Sequence, residues 1–264
     1  MNNRLATLIR HLAIGTLTGL FSGAVAVGLG SRVAMRITAL MTEDRLQGQL
    51  TEAQARVGEI TVGGTFFLIF FAAVVLGIYA GLLYRVTSGW LPNKKTWFRG
   101  LIFGVILLLL HGTAIIEGDN VDFDRFGSTT INIGMFMLMP LAFGLIAAYT
   151  DGWLERHYPP FNVHFKTLLL YLPGILGGLF LLPLAIGMID SLSPNSDNSQ
   201  LTNVGQAWLT LVMIGVIVFS LVFEPTIKHL RYTLYIRAAV LIVPMLYGGV
   251  LLIEAIREIL DQGA

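Results

Sequence analysis

Apolar residues run along this chain in blocks of about 17 to 25, each long enough to cross a ~30 Å hydrocarbon layer as a helix. The blocks cover approximately 12–30, 62–84, 99–117, 130–150, 167–189, 205–223 and 237–256, and the first could run on to 41. The alternating segments of about ten residues that mark a transmembrane barrel are absent. The pattern therefore predicts an all-α, polytopic membrane helical bundle of about seven transmembrane helices, folded as one integral membrane domain over 1–264.

Inside these blocks the small residues are spaced for helix packing. Gly15, Gly19 and Gly23 recur at every fourth position, which returns them to nearly one helix face and lets another backbone come close. Gly77 with Gly81, and Gly100 with Gly104, repeat the spacing in the second and third blocks, so the tightest packing is expected among helices one to four. If the first helix is unbroken, Thr18, Ser22, Arg32 and Arg36 share an arc of roughly 80° beside the glycine seam. A bend at Gly28 or Gly30 would destroy that arc. Pro140, Pro173, Pro183 and Pro244 are expected to kink the fourth, fifth and seventh helices.

Polar positions set the threading. With the N-terminus inside, the inner segments hold Arg4, Arg10, Arg85, Lys94, Lys95, Arg99, Arg156, Lys166, Lys228, Arg231 and Arg237, eleven of the seventeen basic residues. Basic loops stay on the cytoplasmic side, which gives an N-in, C-out topology. Arg4 and Arg10 before a run of about 19 apolar residues read as a retained signal anchor, since a cleaved signal core is about 7 to 15 residues. Trp90 and Trp97 around Lys94 and Lys95 suit a headgroup-level anchor. In the first outer loop, Thr51 and Gln54 have the spacing of a capping box and predict a short surface helix. The segment Ser191 to Asn203 reads as a polar connector.

Composition narrows the classes. Hydrophobic types make up 55% of the 264 residues and charged types 12%, against about 25% charged in soluble domains. Mean hydropathy is +0.74. A net charge of +1 without a basic, aromatic-interleaved run gives no reason to expect a nucleic-acid partner. The absence of cysteine removes disulfides, thiolate catalysis and thiolate metal sites. The expected environment is a lipid bilayer, read as a bacterial cytoplasmic (inner) membrane, with other membrane subunits or self-association as further partners.

Three short stretches carry a resemblance. Gly30 to Arg36 reads G-S-R-V-A-M-R, Arg56 to Thr65 reads R-V-G-E-I-T-V-G-G-T, and Asn120 to Phe123 reads N-V-D-F. Together they resemble a group of uncharacterised bacterial multi-pass membrane proteins, a likeness confined to the first half of the chain that implies no activity.

The candidate chemistry is sparse. His111 is the only histidine well inside a block, and an ionisable residue there is a functional candidate. It could shuttle protons or hold a haem or pigment, or it could be a neutral imidazole bonded to a neighbouring helix. His11, His157, His164 and His229 lie at a different depth, which argues against a two-histidine haem. Glu117, Asp119, Asn120, Asp122 and Asp124 concentrate oxygen ligands of the kind hard cations prefer. As a calcium loop, however, N-V-D-F-D-R-F-G has Arg125 where the turn glycine belongs. Asp119, Asp122 and Asp124 are therefore more simply partners for Arg32 and Arg36, which threading puts on the same side. Met135, Met137 and Met139 do not share a helix face, so they read as packing residues rather than a copper site. No hydrolase, phosphate-loop or metalloprotease signature is present. No cofactor is expected.

Three function classes remain. A small carrier or channel for an ion or small solute would use Arg32, Arg36, His111 and Glu117. A non-catalytic structural or assembly subunit of a larger membrane complex would dock through the glycine seams. A membrane-embedded enzyme has the least support, since nothing marks a nucleophile.

Overall fold

The computed structural model describes residues 3–52, 55–92, 94–118, 120–161, 165–193, 201–227 and 233–262. Gln54, Asp119, His164, Lys228, His229 and Arg231 lie outside them. Among the described residues, seven helices are long and apolar enough to cross a membrane, and they bound the spans at Leu5–Met41, Val62–Thr87, Thr96–Ala114, Thr129–His157, Leu169–Asp190, Val204–Val222 and Tyr235–Asp261. This is the all-α membrane bundle that the apolar blocks predict. Below, "inner" denotes the end of the bundle that holds the N-terminus.

The first span continues to Met41 without a break in helicity. It comprises α1 (Asn3–Ser22), a π-helical segment (Gly23–Leu29) and α2 (Gly30–Met41). The second span repeats the design with α3 (Val62–Phe71), a π-helical segment (Ala72–Gly77) and α4 (Ile78–Thr87). The third is α5 (Thr96–His111), and the short α6 (Asp122–Arg125) follows. The remaining spans are α7 (Thr129–His157), α8 (Phe165–Ser191), α9 (Leu201–Ile227) and α10 (Thr233–Gln262). The helices α7, α8 and α10 extend past Pro140, Pro173, Pro183 and Pro244, each of which removes one backbone donor from its helix. The first two spans each contain a π-helical segment, and the two segments pack on each other.

Glycine explains why those two spans can lie so close. A Cβ on Gly19 would collide with the Gly77 carbonyl, and one on Gly81 would collide with Gly15 and Gly19 backbone. The third and fourth spans meet in the same way: a Cβ on Gly100 would lie 2.7 Å from the Gly144 carbonyl oxygen, and one on Gly104 2.6 Å from Leu141 Cα. The seam expected among helices one to four is thus two seams, one between the first and second spans and one between the third and fourth. Gly174 and Gly177 on α8 add a third against Ala13 and Thr16.

A continuous apolar core fills the centre, including Ala26, Leu83, Tyr84, Phe103, Leu110, Phe143, Ala147, Met213 and Ile217. Tyr84 and Phe103 meet edge to face at 4.9 Å. A π turn takes more residues than an α turn, so the helical phase shifts between Ser22 and Gly30. The arc expected for Thr18, Ser22, Arg32 and Arg36 is lost as a result. Thr18 and Ser22 are fully buried, whereas Arg36 is exposed.

The first outer loop does not form the expected surface helix at Thr51. Leu50 pairs with Arg56 in an isolated antiparallel bridge, and the Thr51 N–H donates to the Ala55 carbonyl at 2.8 Å. The Thr51 hydroxyl, read from sequence as a helix cap, accepts the Ala55 N–H at 3.1 Å and closes a tight hairpin. Gly48 and Gly58 flank it with φ of 76° and 84°, a backbone region that favours glycine.

Candidate functional site

Arg32, Met35, Arg36 and Ala39 follow the i, i+3, i+4, i+7 rule, so they form one stripe along α2. That stripe is one wall of a cavity of about 290 Å³. The hairpin supplies the roof through Thr51 and Ala55 to Ile60, and Ile115, Asn120, Asp122, Phe123, Phe126, Asn132 and Phe136 supply the opposite wall. The three stretches that carry the sequence resemblance thus converge on one cavity.

Polar clamps hold these walls. Gln47 donates from its side-chain amide to the carbonyls of Ala39 at 2.6 Å and Thr42 at 3.2 Å, tying the hairpin to the end of α2. Asn132 is buried on α7 and donates to the Phe123 and Phe126 carbonyls at 3.1 and 2.7 Å. Its own carbonyl oxygen accepts the Thr38 hydroxyl at 2.6 Å. One amide therefore fixes α2, α6 and α7 around the cavity.

The charges in this cavity are incompletely matched. Arg32 Nε is buried and has no hydrogen-bond partner, and its Nη1 approaches only the Met35 sulfur at 4.0 Å. Gly64 leaves room for this guanidinium, because a Cβ there would lie 3.0 Å from Nη2. Among the described residues, no carboxylate lies within ion-pair distance of Arg32 or Arg36. Arg56 pairs loosely with Glu59 at 3.9 Å, with both side chains more than half exposed. Asp122 accepts the Glu52 N–H on Oδ2 at 2.9 Å, while its Oδ1 is buried without a partner. An orphan donor and an orphan acceptor thus belong to the lining of the same cavity.

Of the acidic partners expected for the arginines, Asp122 alone among the described residues lines the cavity, and it forms no ion pair with them. Asp124 accepts the Thr129 hydroxyl at 3.2 Å, and Glu117 is an exposed residue away from the cavity lining. Asp119 lies outside the described residues. Among those described, no cluster of three or more metal-type ligands occurs.

His111 joins a separate polar chain. Its Nε2 meets the Tyr79 hydroxyl at 2.8 Å, and its Nδ1 meets the Gln206 side-chain amide at 2.5 Å. Gln206 in turn accepts the Thr113 hydroxyl at 2.7 Å. Both ring nitrogens are engaged, so His111 bonds the third span to the second and sixth. It does not line the cavity.

A linked ionic cluster lies at the inner end. Asp151 and Glu155 are four residues apart and share a face of α7. Arg85 from α4 reaches Asp151 at 3.2 Å and also pairs with Glu155, which pairs in turn with Arg10 of α1. Arg85 and Asp151 side chains are only 10% and 11% exposed, so this is a nearly buried pair. All four residues fall on one side in the sequence-based threading, as do Arg32, Arg36, Arg56 and Asp122 on the other. Arg10 and Arg32 are separated by 22 residues of near-continuous helix, about 33 Å at 1.5 Å per residue, close to the ~30 Å hydrocarbon thickness. The inner cluster and the outer cavity therefore bracket the apolar layer.

Family models, curated proteins and solved structures contain no match to the chain, so the functional reading rests on the site itself.

Proposed function

We propose that this multi-pass membrane protein is a small carrier, in a bacterial cytoplasmic membrane, for a solute that presents an acidic group to Arg32 and Arg36. One observation carries the reading: two arginines without carboxylate partners among the described residues share a largely apolar cavity beside the C-terminal half of the first span. A guanidinium held away from carboxylates in a partly desolvated wall favours an incoming anion, since its electrostatic attraction is screened less there than in water.

The rest of the bundle suits such a cycle. The inner end is closed by Arg10, Arg85, Asp151 and Glu155, which link the first, second and fourth spans. Between the two ends, Thr18 and Ser22 are buried with hydroxyls that have no partner. Breaking the inner ion pairs as the outer cavity closes would present the solute to the other side. The π segments in the first two spans are the backbone elements suited to that change, because such insertions shift helix phase without unwinding the helix.

The test is uptake into proteoliposomes from a mixed pool of radiolabelled organic acids and amino acids. Wild-type protein should accumulate at least one member above protein-free vesicles, and Arg32→Gln should reduce that uptake by about tenfold or more while eluting as a folded particle, as expected for loss of a charge-assisted contact. Uptake no greater than in protein-free vesicles would overturn the carrier reading. Undiminished uptake in Arg32→Gln would remove this arginine from it.

A further inference from the structure

Among the described residues Arg32 and Asp122 form no ion pair, Arg32 Nε lacks an acceptor and Asp122 Oδ1 lacks a donor, and both residues line the same cavity. The remaining wall is largely apolar, with Met35, Val57, Ile115, Phe123, Phe126 and Phe136. A simple inorganic anion would satisfy the arginine, leave the Asp122 oxygen buried and unpaired, and bring no apolar surface against the phenylalanines. A cation would do the reverse. A buried polar atom left unpaired is costly, so an occupant that meets both is favoured over one that meets either alone.

We infer that the cavity takes a zwitterion with an apolar body. Its acidic group lies against Arg32 and Arg36, its ammonium against Asp122, and its hydrocarbon part against the phenylalanine wall. The cavity of about 290 Å³ accommodates a molecule the size of an apolar amino acid. The same chemistry is presented by the head of an ethanolamine-type phospholipid, with its acyl chains lying along the bundle. This assignment rests on the carrier reading for its purpose, but not for its test, which measures binding alone.

The experiment uses the full chain in phosphatidylcholine nanodiscs, with binding followed by equilibrium dialysis. Three probes of nearly equal shape are compared: L-leucine, 4-methylpentanoate, which lacks the ammonium, and 3-methylbutylamine, which lacks the carboxylate. Leucine should bind, and each half-molecule should bind about tenfold or more weakly, because a site built for a polar group rejects the analogue that lacks it. Asp122→Asn, which retains an acceptor for the Glu52 N–H, should erase the preference for leucine over 4-methylpentanoate. Replacing part of the lipid by phosphatidylethanolamine separates the two sources. Leucine binding unaffected by that lipid identifies a free solute. Displacement of leucine by it, or retention of it by the protein when leucine fails to bind, identifies the headgroup.

Equal binding of leucine and 4-methylpentanoate would overturn the inference while leaving an arginine-dependent carrier standing. Binding of neither leucine nor phosphatidylethanolamine would overturn it as well, with proteoliposome uptake still deciding the carrier reading. Leucine binding with no uptake of any member of the pool would retain the site and end the carrier reading.

Discussion

Replacing Arg85 by glutamine should destabilise the protein by about 3–5 kcal/mol, the expected penalty for removing one partner of a buried ion pair. Asp151, 7% exposed, would be left with its charge and without its guanidinium. Glu155 would retain Arg10 alone. The measurement is thermal unfolding in detergent together with the yield of monodisperse protein. The double variant Arg85→Gln, Asp151→Asn should recover much of the loss, because the uncompensated charge disappears and two neutral amides can bond to each other. The interaction term of that double-mutant cycle isolates the pair from its surroundings. Equal instability of the single and double variants would mean that the cluster matters for packing rather than for charge pairing.

Gly19→Leu should be nearly as damaging by a different route. Its first atom would meet the Gly77 carbonyl and the Gly81 Cα, both backbone, so no side-chain rotation can relieve the clash. The first two spans would have to separate, and the adjacent π segments with them. Overpacking of a close-packed core costs about 3 kcal/mol when the neighbours cannot yield, and the variant should fail to accumulate as a monodisperse particle. Gly215→Ala on α9 is the control, since a Cβ there meets nothing within 4 Å. Its unfolding temperature should match wild type. Similar behaviour of the two variants would remove the first glycine seam from the account of stability.

Much of the architecture is legible in the residues because one physical rule dominates it. Lipid demands long apolar helices, and seven such blocks are plain in the sequence. Close helix approach demands small residues at fixed spacing, so Gly15, Gly19 and Gly23 announce their seam. Gly144 is equally tight but has no glycine four residues to either side, and nothing local distinguishes it. The π segments are hidden for a related reason: inserting a residue into an apolar run leaves the run apolar while rotating everything beyond it. That rotation is why Thr18 and Ser22 do not share their face with Arg36. Thr51 illustrates competition between local signals, since its hydroxyl serves a hairpin as readily as a helix cap.

The site was half legible. Arg32 and Arg36 stand out as charges beside an apolar run, and Asp122 as an acid on the same side. Among the described residues their expected ion pairing does not form, and Asp122 instead accepts the Glu52 backbone N–H. Asn132 could have been noticed as an amide at the start of an apolar block, but its three partners come from α2, from α6 and from the residue just beyond α6. The inner cluster depends on residues 66 to 145 positions apart, and of its geometry only the i, i+4 pair Asp151 and Glu155 is visible in the sequence.

The central claim is that solute passes through the cavity bounded by α2, the hairpin and the Asn120 to Phe136 wall. The absence of native cysteine makes a direct measurement available. Val57→Cys, in the cavity wall, is reconstituted in proteoliposomes and treated from the external side with a bulky, membrane-impermeant maleimide, alongside wild type and a Gly89→Cys control at the opposite end. Modification of Val57→Cys in outward-oriented molecules should stop uptake, and wild type should be unaffected. Undiminished uptake through fully modified Val57→Cys protein would show that the solute travels elsewhere and would contradict the account.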